Sequence, residues 1–178
     1  MMNKQGLVIV HTGNGKGKTT AALGLAVRAW GQGLKILIMQ FIKGGWKYGE
    51  LKSLKKFEPE ILIQQMGEGF VNKANTADEK ENHIKLAQNA LVQARKEMLS
   101  GKWDMLILDE INYAVKFGLL TVEDVLDLLK DKPQGMHLVL TGREANEKII
   151  DMADLVTEMK EIKHPYQKGI KAQQGIEF

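Results

Sequence analysis

Residues Thr12 to Thr20, reading TGNGKGKTT, have the types and spacing of a phosphate-binding turn. The apolar run Leu7, Val8, Ile9, Val10 precedes them, and an alanine- and leucine-rich pattern follows. A strand, a glycine-rich turn and a helix start, in that order, aim backbone N–H groups and the positive end of a helix dipole at one point. Lys18 adds a mobile ammonium, and the Thr19 hydroxyl stands where the Mg2+ that travels with a nucleotide takes a ligand. The nucleotide set read this way is Gly13, Asn14, Gly15, Lys16, Gly17, Lys18, Thr19 and Thr20. One position departs from the usual G-x-x-x-x-G-K-[ST] pattern. Thr12 stands where the first glycine is expected, and Gly13 and Gly15 supply the flexibility instead.

A second chemical centre is predicted at Asp109 and Glu110, which end the apolar run Met105–Leu108. A P-loop protein places an acidic motif at this point to hold Mg2+ directly or through water, and a hard cation calls for oxygen ligands. Spacing alone leaves open which carboxylate touches the ion. Arg143, in Thr141-Gly142-Arg143, reads either as a bidentate phosphate clamp or as a surface arginine at the sheet end. Arg28 lies some three helical turns beyond the cradle, within reach of a ribose only by a weak reading. The four histidines have no partners at metal-ligand spacing. His11, His83 and His137 read as ordinary core or surface residues. His164 stands in a segment rich in cations and glycine that reads as a ligand-facing loop or as a surface connection to a last strand at Gly175–Phe178. Gln40 is a poor candidate for orienting a water, and no residue presents itself as a catalytic base.

These residues need a scaffold that gathers strand ends. Short runs that are apolar throughout recur at 7–10, 35–41, 60–64, 104–108 and 136–140, the pattern of strands covered on both faces. Helical patterns separate them. The expected first helix spans 18–30 and packs through Ala22, Leu25, Ala26 and Ala29. A long helix runs from Thr76 to Ser100, opened by a Thr76/Glu79 capping box, and another runs from Thr121 to Lys130. The alternation predicts an α/β fold, P-loop NTPase-like, with a mostly parallel doubly wound sheet and helices on both faces. No repeat or linker breaks the chain, so residues 1–178 read as one domain. Glycine-rich loops follow the second, third and fifth strands (Lys43-Gly44-Gly45, Gly67-Glu68-Gly69 and Thr141-Gly142-Arg143), on the edge where an open parallel sheet binds ligands.

Composition narrows the classes. With 178 residues, 44% hydrophobic and 26% charged, the chain is an ordinary globular domain with a real core. A formal charge of +3 is too small to indicate a nucleic-acid partner. The absence of cysteine excludes disulfides, thiolate metal sites and a cysteine nucleophile. No apolar run reaches a membrane span and no signal region opens the chain, so the expected location is cytoplasmic.

Taken together, TGNGKGKTTAALGLAVRAWGQG, QFIKGGWKYGE, LDEINYA, LTGR and KHPYQKGIKAQQGIEF resemble, in this order, the P-loop-type ATP:corrinoid adenosyltransferases. The resemblance runs from Gly6 to Phe178. It implies transfer of the 5′-deoxyadenosyl group of ATP to the Co(I) of a reduced corrinoid, with triphosphate as leaving group. A cobalt nucleophile attacking carbon needs no protein base, which fits the residues that are missing. The resemblance implies that Asn14 to Thr20 bind triphosphate, that Thr19 and Glu110 carry Mg2+ with Asp109 in support, and that Arg143 contacts phosphate. Lys18, Thr19 and Glu110 are thus the expected catalytic residues. It places Gly69, Phe70, Asn72 and Trp46 against the corrin ring, and implies a homodimer and a flavin-type reductant. Family members often carry a Phe and a Trp two residues apart in the third-strand loop. Here Phe70 is kept and Asn72 replaces the Trp, so the wedge that displaces the corrinoid lower ligand is half present. Only Met1–Gln5 precede the first strand, where better-known members carry a helical extension, so a more open corrinoid pocket is expected.

Overall fold

A computed structural model describes residues 5–44, 48–69 and 76–177. Six strands form one sheet: β1 (Val8–Thr12), β2 (Ile36–Gln40), β3 (Ile61–Gln65), β4 (Met105–Asp109), β5 (His137–Thr141) and β6 (Leu155–Glu158), in the order β3-β2-β4-β5-β1-β6. Every pairing is parallel. The strands therefore need crossovers, and helices supply them: α1 (Lys18–Trp30), α2 (Gly49–Leu54), α3 (Ala77–Leu99), α4 (Ile111–Lys116), α5 (Val122–Lys130) and α6 (Glu147–Met152).

The period of two along each strand divides the apolar residues between two cores. Ile9, Ile36, Ile38, Met105, Ile107 and Val139 face Ala22, Ala26 and Ala29 of α1. Val8, Val10, Leu37, Met39, Leu106, Leu108, Leu138 and Leu140 face the other way, against Ala87, Ala90, Ala94 and Met98 of α3 and the buried sides of α4 to α6. Small residues on α1 and α3 let both helices lie close to the sheet. This explains why the strands read as continuous apolar runs rather than alternating ones.

The carboxyl ends of the strands are polar. Gln65, Gln40 and Asp109 stand side by side in register, Thr141 ends β5, and Thr12 pairs with Glu158. The edge predicted for ligands is thus a row of side-chain donors and acceptors over an apolar floor.

The first five strands match their expected positions within a residue or two, and α1, α3 and α5 match closely. The Thr76/Glu79 box has both its bonds, Glu79 N to Thr76 Oγ1 at 3.2 Å and Thr76 N to Glu79 Oε2 at 3.1 Å. The expected last strand at Gly175–Phe178 is corrected. Residues 174–177 form a turn and Phe178 lies outside the described residues. The sixth strand is Leu155–Glu158, exposed at all four positions. A four-residue edge strand with little apolar burial leaves no periodic signal to find.

Candidate active site

The cradle is built where β1 turns into α1. Gly17 is the N-cap of α1, with φ 109° and no side-chain cap, so the first N–H groups of the helix point outward into a cleft of about 830 Å³. Lys18 Nζ donates to Gly13 O and Gly15 O, both at 2.7 Å, which curls the loop around the ammonium. Burial lowers the Lys18 pKa, opposed by Glu110 and assisted by Arg143. Thr12 earns its place through its hydroxyl, which accepts from Ala145 N at 3.0 Å and ties the end of β1 to the loop after β5. The glycine requirement falls on the next residue. Gly13 has φ 93°, and a Cβ there would stand 2.5 Å from Met159 O.

Asp109 and Glu110, adjacent in sequence, have different surroundings. Asp109 is buried and fully occupied. Its Oδ1 accepts from the Thr19 hydroxyl at 2.8 Å and the Thr141 hydroxyl at 2.7 Å, while Oδ2 accepts from Gln40 Nε2 at 3.1 Å and lies 3.4 Å from Lys43 Nζ. Glu110 is the N-cap of α4 in the left-handed region, φ 65°, and its N–H donates to Thr141 Oγ1 at 2.9 Å. That backbone conformation is uncommon for a residue with a side chain and tends to mark functional sites. It turns the carboxylate into the cleft. Burial, reinforced by Asp109, pushes the Glu110 pKa up to about 7 against the pull of Lys43, Lys18 and Arg143.

The opposite wall comes from the chain after β2. Lys43, Tyr48, Gly49, Glu50 and Ser53 line it. Burial acts against the Lys43 charge, but Asp109 and Glu50 together outweigh it and raise the pKa. The C-terminal segment closes a third side through His164, Ala172, Gly175, Ile176 and Glu177, and Glu177 pairs with Lys16 of the cradle.

The structure thus gathers Gly15, Lys16, Gly17, Lys18, Thr19, Thr20, Glu110 and Arg143 on one cleft, with Asp109 beneath Thr19. Gly13 shapes the loop from below, and Asn14 is exposed on it. Arg28 is not brought in: it sits in the last turn of α1, exposed, and does not line the cleft. Ten residues of helix separate it from Lys18 at the phosphate end. Gly69 lies in the loop after β3, where its N–H donates to Ile42 O at 3.0 Å. Trp46, Phe70 and Asn72 lie outside the described residues. His164 lines the cleft, whereas His11 is buried in β1, where burial lowers its pKa. Gln40 is spent on Asp109 and is no water-orienting residue. Sequence reasoning missed Thr141 and Lys43. The loop glycines beside them were noticed, but nothing in spacing announces that either reaches Asp109.

Comparison with known proteins gives the family and bears out the fold. The model of the ATP:corrinoid adenosyltransferase BtuR/CobO/CobP family matches residues 4–178. The chain belongs to the corrinoid adenosyltransferase family. A Sinorhizobium corrinoid adenosyltransferase is 40% identical over 99% of this chain and 82% of its own length. Those of Escherichia coli K12 and Salmonella typhimurium LT2 are 37% and 39% identical, each with 87% of its length covered. The transferase is thus an enzyme that joins an adenosyl group to a corrinoid. Two solved structures share the fold. FlaH, a flagellar accessory protein from Methanocaldococcus jannaschii, has a TM-score of 0.58 at 13% identity over 87% of this chain and 71% of its own. A KaiC-like protein from Pyrococcus horikoshii has 0.52 at 17% identity over 89% and 75%. The likeness bears out the α/β fold, a parallel sheet with helices on both faces, expected from the sequence. Among the described residues no helix is long and apolar enough to cross a membrane.

Proposed function

We propose that this adenosyltransferase binds the triphosphate of ATP on residues 13–20 and Arg143, and presents the ribose 5′-carbon to the Co(I) of a reduced corrinoid. The cobalt electron pair forms the Co–C bond, the C5′–O bond breaks, and that bond pair leaves on the triphosphate. The observation that carries the reading is the convergence of the P-loop, Glu110, Arg143 and the C-terminal segment on one cleft.

The chain's own contribution is to hold and to neutralise. Helix N–H groups, Lys18 and Arg143 meet the charge that grows on the leaving oxygen, and the cleft keeps the reactants in line. Lys18 is the principal cation of this set. Thr19 and Glu110 suit Mg2+, which is a Lewis acid for phosphate oxygens when bound and takes one or two protein oxygens beside those of the nucleotide. The donor set supports this: a hydroxyl and a carboxylate face the cleft, and burial together with the neighbouring Asp109 raises the Glu110 pKa to about 7, a cost that a bound cation would relieve. Asp109 has its lone pairs engaged and acts through Thr19, as a support.

The corrinoid side is assigned to the loops after β2 and β3, with Gly69 in the described part, and to Trp46, Phe70 and Asn72, which lie outside the described residues. One domain carries both substrates. By family likeness the protein acts as a cytoplasmic homodimer supplied by a flavin-type reductant. The deciding experiment supplies chemically reduced cobalamin, Mg2+ and ATP, and follows the adenosylcorrinoid spectrum together with the phosphate product. Triphosphate in step with the Co–C bond is expected. ADP and phosphate without that bond would make the protein an ATPase or kinase and overturn the reading.

A further inference from the structure

The stretch from Lys43 to Glu50 lies in one of the motifs that carry the resemblance, yet the reaction above gives its charged residues no part. Lys43 Nζ donates to Glu50 Oε1 at 3.1 Å, lies 3.4 Å from Asp109 Oδ2, and stands 4.8 Å from the Tyr48 ring centroid. An ammonium has three protons. Two carboxylates and an aromatic face occupy them, which makes Lys43 a poor direct ligand for phosphate. The Lys43 side chain is 17% exposed and that of Asp109 1%, so the pair lacks the solvent screening that weakens surface ion pairs.

The two carboxylates belong to different sides of the cleft. Asp109 also receives the Thr19 hydroxyl of the cradle, whereas Glu50 opens α2 in the facing wall. The next residue, Gly44, is pressed against the loop after β3: a Cβ there would stand 1.7 Å from Gly67 O. The Gly69 N–H to Ile42 O bond adds a second tie between the same loops. Wherever Lys43 is held, the β2 and β3 loops are held with it.

We propose that Lys43 is a positioning residue for adenosyl transfer, whose grip on Asp109 and Glu50 sets the distance between the triphosphate side of the cleft and the corrinoid side. The proposal rests on the adenosyltransferase reading given above. In-line displacement is sensitive to such a distance, a 1 Å misplacement costing about 10²-fold in rate.

The test compares Lys43→Met, Lys43→Arg and Glu50→Gln in the full chain, using chemically reduced cobalamin and Mg2+-ATP. Lys43→Met lowers kcat about 10- to 100-fold, with KM for ATP nearly unchanged. Lys43→Arg keeps a cation that can span both carboxylates and recovers most of the rate. Glu50→Gln, which loses one charged arm, falls between. ATP affinity by calorimetry, with no turnover, stays at the wild-type value, and thermal unfolding establishes that each variant is folded. A raised KM with a matching loss of ATP affinity makes Lys43 a phosphate ligand and overturns the proposal. So does an unchanged kcat in folded Lys43→Met. Should Lys43→Met fail to fold, an unchanged kcat in Glu50→Gln overturns it in the same way. An inert wild type takes down the adenosyltransferase reading as well, whereas an active wild type with unaffected variants removes only the role of Lys43.

Discussion

The two facing walls of the cleft are made by different means. The cradle is contiguous: Thr12 to Thr20 supply it from one turn, chiefly with backbone N–H groups, a helix start and the Lys18 ammonium at its centre. The facing wall is assembled. Lys43, Tyr48 and Glu50 follow β2, and Lys43 ties the other two to Asp109 from β4, which Thr19 from α1, Thr141 from β5 and Gln40 from β2 hold in turn. A wall made of backbone tolerates change in most side chains, provided the glycines remain. A wall made of side chains from several elements depends on each of them. Asp109 is the joint, since it touches both walls.

Substitutions separate the two. The largest effect is expected from Lys18→Ala, which removes the ammonium around which the cradle loop curls. Transfer falls about 10²–10³-fold, as when a preorganised donor to a developing oxyanion is removed, while the rest of the fold is kept. Adenosylcorrinoid absorbance gives the rate and circular dichroism the fold. Asp109→Asn acts in the other direction, on the joint, and costs about 3 kcal/mol of unfolding free energy because Lys43 loses a buried counter-charge. Denaturant midpoints measure it. Equal stability of the two variants would mean that the walls are not differently built.

Glu110 offers a finer probe. In an unfolded chain it titrates near 4.5, but in the folded protein at about 7. Between those values the folded protein keeps a proton that the unfolded chain has lost. Its contribution to ligand-free stability is therefore complete below about pH 4.5 and is lost as pH rises through 7, at most about 3 kcal/mol in all. Urea unfolding of the wild type and Glu110→Gln across pH 5 to 8 tests this, and a slope that survives in the variant assigns it to another group. The smallest difference concerns two arginines. Arg143→Ala, in the cleft, weakens ATP binding about tenfold, the order of one charge-assisted contact, whereas Arg28→Ala leaves the calorimetric affinity unchanged.

Much of the scaffold was legible. Five strands, α1, α3 and α5 announce themselves through apolar runs, period-3.6 faces and capping boxes, all of them local signals. The short helices α2, α4 and α6, six residues each, are too brief for a periodic face. β6 is an exposed edge strand whose residues are chosen by little except its pairing with β1. The site divides along the same line. Gly17, Lys18 and Thr19, which line the cleft, were singled out because a phosphate turn has fixed spacing. Lys43 and Thr141 were not, because their roles arise from neighbours 66 and 32 positions away, at Asp109.

By itself the sequence determined the order of the first five strands and of α1, α3 and α5, the two-faced burial of the sheet, the glycine-rich turn before α1 and, through its motifs, the family. These follow from short-range periodicity and from chemistry that needs only neighbours along the chain. Tertiary structure alone decided that Thr12 serves through its hydroxyl, which four groups engage Asp109, that Arg28 stands apart, and that the C-terminal segment comes back to Lys16. Strand order brings these groups together. A parallel sheet aligns the ends of strands distant in sequence, and what a side chain does there is set by the groups across from it.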